Sequence, residues 1–257
     1  MEIGLALSGG AARGISHIGV LKYLEEIGVK PEILAGTSAG SIVGSLYCAG
    51  YSPEEIEKIA LNINWRQIFR YSRIRFPRLG LINIDFLDKM LDEYIGGMTF
   101  AQLKIPLIVT AVDLDEHCPQ FIEDGDLMSA IRGSCAIPGI FFPVQRENKT
   151  LVDGGVLHNI PTLPLYERKV ETIIAVDVNA HRSPERSPRN IFEVIYQSLY
   201  MVNRYRENED SGMAKYLIVP DLQKIGMWDL NQTEEIIQLG YKKAREVLEK
   251  EKLPGKT

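Results

Sequence analysis

Twice within the first fifty residues a short apolar run ends in small residues and opens onto a helical pattern, and this repeat constrains the fold more than any other feature. Ile3 to Leu7 runs into Ser8-Gly9-Gly10, after which Ile15, Ile18, Leu21 and Leu24 recur at helical spacing until Gly28 supplies a stop. A second apolar run at 33–36 passes through Thr37 and Ser38 into the small, apolar stretch Ala39 to Ala49, which reads as a buried helix. Strand, helix, strand, helix in that order implies parallel strands whose C-terminal ends share one edge of a sheet.

The rest of the chain continues the pattern. Strands are expected at 105–112, 121–122, 151–152, 172–178 and 216–219, and helices beyond Pro53 and at 86–94, 127–132, 190–204 and 233–250. With 45% hydrophobic and 25% charged residues in 257, this predicts a single α/β domain around a mostly parallel sheet. A formal net charge of -5 argues against nucleic acid, whose phosphates demand a positive surface field. Cys48, Cys118 and Cys135 cannot all pair within one chain and match no metal-binding spacing, so a reduced cytoplasmic setting without metal or other cofactor is expected. The opening MEIGLALSGGAARG lacks the basic start and long apolar run of a signal peptide, and no apolar run is of membrane-spanning length. Membrane contact, if it exists, is then peripheral.

Three short segments carry chemistry. Gly36-Thr37-Ser38-Ala39-Gly40 is a G-x-S-x-G pattern placed between a predicted strand and a predicted helix. In such an elbow the serine sits on a tight turn, the glycines avoid clashes, and the helix N-terminus faces a developing oxyanion. Ser8-Gly9-Gly10-Ala11-Ala12-Arg13-Gly14 also joins a strand to a helix and exposes backbone N–H groups that can hold a phosphate or an oxyanion. The absence of a Gly-Lys-Ser/Thr, and of an acid at the end of the second strand, favours the oxyanion. The third segment, Asp153-Gly154-Gly155, follows a short apolar run. Residue chemistry alone does not select it, because Asp113 and Asp177 also lie near strand ends and Asp-Gly is a common turn.

Taken in order, the glycine loop, the elbow and the Asp-Gly-Gly triplet resemble bacterial patatin-like phospholipases. Ser134-Cys135-Ala136-Ile137-Pro138-Gly139, Phe142-Pro143-Val144, Asn159-Ile160-Pro161 and the run at 173–178 extend the resemblance over roughly residues 4–220. It implies a three-layer α/β/α sandwich and a serine acyl hydrolase acting on lipid esters of phospholipid or lysophospholipid type. It further implies that Ser38 attacks, that Asp153 accepts its proton without a histidine relay, and that the loop holding Gly9, Gly10, Ala11, Arg13 and Gly14 forms the oxyanion hole. The family usually has a third consecutive glycine where Ala11 stands. Alanine keeps its N–H and is tolerated if φ is negative, so retained function is expected. A lipid-binding regulator with weak or no catalysis is the competing reading.

The remaining candidates are weaker. His158 follows Asp153 and could complete a triad, but Ser38 comes after only the second strand, so His158 is read as a loop residue and His17 as a packing residue of the first helix. Arg13 either meets a phosphate head group or steadies the glycine loop. From 59 to 84 there is no acid, while Trp65, Arg66, Phe69, Arg70, Arg73, Arg75, Phe76 and Arg78 alternate basic and aromatic character. That mixture suits an anionic lipid surface. Arg182, Arg186 and Arg189, followed by Ile191, Phe192, Ile195 and Leu199, either flank the same entrance or, as is more common for such a pattern, belong to a core helix.

Overall fold

A computed structural model of the chain describes residues 2–62, 84–180, 191–226, 229, 231–251 and 253. Its sheet contains β1 (Ile3–Leu7), β2 (Ile33–Thr37), β3 (Leu107–Asp113), β4 (Cys118–Ile122), β5 (Val144–Arg146), β6 (Lys149–Asp153), β7 (Thr172–Val176) and β8 (Tyr216–Ile218). The strand order is β5-β6-β3-β2-β1-β7-β8, with β4 also paired to β3. Strands β3, β2, β1, β7 and β8 run parallel, and β4, β5 and β6 supply the antiparallel pairings. The helices are α1 (Ser16–Glu26), α2 (Ala39–Ala49), α3 (Pro53–Asn62), α4 (Phe86–Ile95), α5 (Leu127–Ser134), α6 (Leu163–Glu167), α7 (Ile191–Gly212) and α8 (Thr233–Lys250).

Because side chains alternate across a strand, each strand feeds two cores. Leu5, Leu7, Leu34, Val109, Ile174 and Val176 face the layer of larger helices, while Ala6, Ala35, Ile108, Ile173 and Ala175 face Leu165 of α6 and Val170. Small residues on the second face let that layer lie close to the sheet. On the first face, α8 packs across α1 where neither helix has a side chain: a Cβ at Gly240 would strike the Ser16 carbonyl, and one at Gly19 the Ile237 carbonyl. The Tyr23 and Tyr241 rings meet edge to face beside this crossing, with centroids 5.5 Å apart.

The expected elements are present, with informative differences. A 3-10 turn over Ala11–Ile15 precedes α1, and Gly28, at φ 70°, ends that helix in the left-handed conformation its position foretold. The hairpin of β5 with β6 was not anticipated. Glu147 and Asn148 turn it at φ 49° and 64°, and a glutamate there gives no turn signal. Helix α7 continues to Gly212, since no breaker intervenes after Arg204. Among its described side chains Ile195 is 38% exposed, and Val194, Met201 and Val202 are also exposed. The segment 65–78 and the arginines at 182, 186 and 189 lie outside the described residues. No helix among the described residues is long and apolar enough to cross a membrane.

Candidate active site

The three segments converge through strand pairing. Thr37 lies opposite Thr110 in the parallel pair β2–β3, while Asp153 lies opposite Ala111 in the antiparallel pair β3–β6. Strand β4 covers Val109 to Asp113 along the other edge of β3, so β2 and β6 must share the remaining edge. Those two strands therefore meet end to end, and the residue after β2 arrives beside the last residue of β6. Meanwhile Leu7 pairs with Gly36, which brings the loop after β1 over the same point.

Ser38 occupies the turn at φ 51° and ψ −120°, a conformation costly for any residue with a side chain. It is held there by dense packing. A Cβ on Gly36 would lie 2.7 Å from the Gly40 carbonyl, and one on Gly40 would strike the Leu7 carbonyl. The serine amide donates to Ser134 Oγ at 2.8 Å, and its carbonyl accepts from Ser41 N (2.9 Å) and Ser41 Oγ (2.6 Å). Helix α2 starts immediately afterwards and points its positive N-terminal end at the serine.

Asp153 is buried, with 6% of its surface exposed, and its Oδ1 accepts the Gly155 amide at 2.7 Å. Loss of hydration raises its carboxyl from the ordinary 3.8 to about 7, against the opposing pull of hydrogen bonds from Gly155 and the Ser38 hydroxyl. A buried carboxylate beside a strained serine can therefore accept that serine's proton near neutral pH. Burial and then the Asp153 charge push the neighbouring Cys135 thiol well above its usual range, so it stays protonated beside Ser38 and Ser41.

The glycine loop divides its amides. Gly9 donates to the Asn159 carbonyl and Arg13 to the Gly10 carbonyl, both at 3.1 Å, which removes these two N–H groups from the five-residue set expected to face an oxyanion. Among the described residues the Gly10 and Ala11 amides have no backbone acceptor outside helix and strand bonding. Gly14 abuts Ala39 so closely that a Cβ would strike it, and so serves to bring the loop down on α2. Ala11 has φ 49°, so the condition for easy tolerance of alanine is not met where the chain turns sharply from Gly10 into the 3-10 turn. Arg13 is almost fully buried and its Nε donates to the Ile225 carbonyl at 2.8 Å, which supports the role of steadying the loop rather than meeting a head group.

The described histidines look elsewhere. His17 Nε2 reaches the Ser8 carbonyl at 2.8 Å, and its burial lowers the imidazole to about 4, against the raising effect of that bond. His158 Nδ1 lies 3.1 Å from Asp210 Oδ1, joining the acid loop to the end of α7, and His117 is exposed. Asp113 takes the Asp115 amide and Asp177 the Asn179 amide, so both rival acids close their own turns. No group of three or more potential metal ligands exists among the described residues. Two participants entered the sequence reading only as part of the resemblance, with no role assigned. Asn159 presents its carbonyl to Gly9, and its Oδ1 lies 2.7 Å from where a Gly9 Cβ would stand. Ser134 grips the elbow amide. Neither carries a local spacing signal.

A family model described as Patatin-like phospholipase matches residues 5–166, and the chain belongs to that family. Lysophospholipase NTE1 of Eremothecium gossypii is 29% identical over 256 residues, spanning 97% of this chain and 16% of its own length. An uncharacterized NTE family protein of Mycobacterium tuberculosis is 33% identical over 178 residues, 69% of this chain and 49% of its own. The chain thus spans about half, or less, of the curated relatives it matches. The crystal structure of VipD from Legionella pneumophila superposes with a TM-score of 0.61 at 15% identity, over 97% of this chain and 67% of that one, a likeness of fold.

Proposed function

We propose that the protein is a serine acyl hydrolase of lipid esters, phospholipid or lysophospholipid in type, with Ser38 as nucleophile and Asp153 as its base. The observation that carries the reading is the register of β2 and β6 along β3, which sets a strained, buried serine beside a carboxyl whose burial raises its pKa to about 7. The family model and the relative named as a lysophospholipase support a lipid ester as substrate.

In this mechanism Asp153 removes the Ser38 proton as Oγ bonds to the ester carbonyl carbon, and the negative charge forms on the carbonyl oxygen. The Gly10 and Ala11 amides and the α2 N-terminus stabilise that oxygen. Collapse breaks the bond to the alcohol, which leaves with the proton from Asp153, and Ser38 keeps the acyl group. Water then repeats the sequence: Asp153 takes its proton, the hydroxide adds to the acyl carbon, and the carboxylic acid departs as Ser38 recovers its hydrogen.

Fluorophosphonate labelling and fatty acid release from lysophospholipid test the reading together. An adduct on Ser38, and turnover that disappears in Ser38→Ala, are expected; no adduct and no release would refute it. Ala11 at φ 49° favours one specific rival, a lipid-binding regulator with an impaired oxyanion hole. Liposome association without fatty acid release would select that rival. A peripheral approach to the bilayer through the basic, aromatic stretch 65–78 belongs to the same proposal.

A further inference from the structure

The stretch Ser134-Cys135-Ala136 touches both halves of the proposed dyad. Ser134 is the last residue of α5 and fully buried. Its hydroxyl accepts the Ser38 N–H at 2.8 Å and donates to the Thr110 carbonyl at 2.6 Å. Two residues on, the Ala136 carbonyl accepts the Asp153 N–H at 3.0 Å. Both bonds are anchored in the sheet. Thr110 is the residue of β3 that pairs with Thr37, and Asp153 pairs with Ala111, one position further along. The end of α5 is pressed against β6 at Gly133, where a Cβ would lie 3.0 Å from Leu151 Cδ1. Pro138 then prevents the helix from continuing past this point.

The Ser38 amide would otherwise be a buried donor on a strained residue. Its bond to Ser134 offsets that strain and withholds the amide from the oxyanion, leaving that task to the loop and to α2.

We infer that Ser134 is a positioning residue which, through its hydroxyl bridge from Thr110 to the Ser38 amide, holds the nucleophile in attacking geometry relative to Asp153. The inference rests on the reading of Ser38 and Asp153 given above. Without the bridge the elbow is free to relax toward an ordinary φ, which displaces Oγ while leaving the lipid-binding surface untouched.

The test is steady-state kinetics on a soluble ester, with each rate divided by the concentration of sites titrated with fluorophosphonate. Ser134→Ala is expected to lower kcat per titrated site roughly 10- to 100-fold with KM within about twofold, since misplacement by an ångström costs that much. Ser134→Thr, which keeps the hydroxyl, is expected to recover most of the loss. If Ser134→Ala does not accumulate folded, Ser134→Cys fills the same place with a weak acceptor and is expected to show the same split. Unchanged kcat in folded Ser134→Ala or Ser134→Cys, a matching rise in KM, or equal impairment of the alanine and threonine variants would overturn the inference. Failure of the broader reading is distinct: wild type and Ser38→Ala would then behave alike.

Discussion

Ser38 and Asp153 come together where two strands meet head-on along one edge of β3, close enough for the serine side chain to oppose the rise that burial gives the carboxyl's proton affinity. Thr37 and Asp153 lie opposite consecutive residues of β3, so a single peptide of that strand sets their spacing. This makes both residues individually testable. Asp153→Asn keeps the size of the side chain and its acceptor for Gly155 but removes the base. Its kcat/KM is expected to fall by about 10²–10⁴ without loss of fold, as for other general bases. Near-wild-type turnover in a folded Asp153→Asn protein would assign the base elsewhere.

The pH profile follows from the ionisation that catalysis requires. Asp153 must be deprotonated to act, so kcat/KM is expected to rise with pH and level off above about 7. Initial rates with an ester whose own hydrolysis is flat over this range provide the measurement. An acid limb centred at the ordinary carboxylate value would show that burial does not govern the base.

Stability carries the opposite signature. Asp153 binds its proton more tightly in the native state than in the unfolded chain, whose value is the ordinary 3.8. Between there and about 7 the native state holds the extra proton, so this residue's contribution to stability declines as pH rises through that window and stays low above it. Asp153→Asn is therefore expected to be more stable than wild type by a few kcal/mol at about pH 9 and similar to it at about pH 3. Urea melts at the two pH values check the difference; a variant destabilised at high pH contradicts it.

The alanine in the glycine loop gives a prediction of its own. At φ 49° its Cβ is unfavourable, and Ala11→Gly is expected to stabilise the protein by about 0.5–1 kcal/mol once the greater freedom of unfolded glycine is subtracted. Activity is expected to be kept or increased, because the amide remains. Thermal melts combined with turnover decide it.

Gly40 tolerates no such exchange. A Cβ there would strike the Leu7 carbonyl, a backbone atom within the central strand. Gly40→Ala is expected to cost about 1–3 kcal/mol and to lower turnover by lifting α2 from the end of β1. A variant as stable and active as wild type would show that this contact yields easily.

Local patterns revealed much of this. The strands β1 and β2, the elbow glycines and the helices α1 and α2 follow from apolar runs and punctuation within fifty residues, because a strand-helix-strand unit is nearly self-contained. Asp153 could not be chosen over Asp113 and Asp177 in that way. What separates the three is the antiparallel return of β6 along β3, a pairing between residues far apart in the chain. Resemblance to a family supplied the proposal of Asp153 that local chemistry could not. The roles of Ser134 and Asn159 were missed for the same reason, since their partners Ser38 and Gly9 belong to distant segments. The positive φ of Ala11 was missed because a small residue within a glycine run gives no sign of the handedness of its turn.

The shared edge of β3 also bears on how such a chain can diverge. The proposed nucleophile and base are gauged against neighbouring positions of one strand, so the lengths of the loops that separate them along the polypeptide do not enter the gauge. Insertions before β3 or in the hairpin after it can accumulate without parting the pair. A single residue added between Thr110 and Ala111 would part them at once, while turning the following side chains to the wrong side of the sheet.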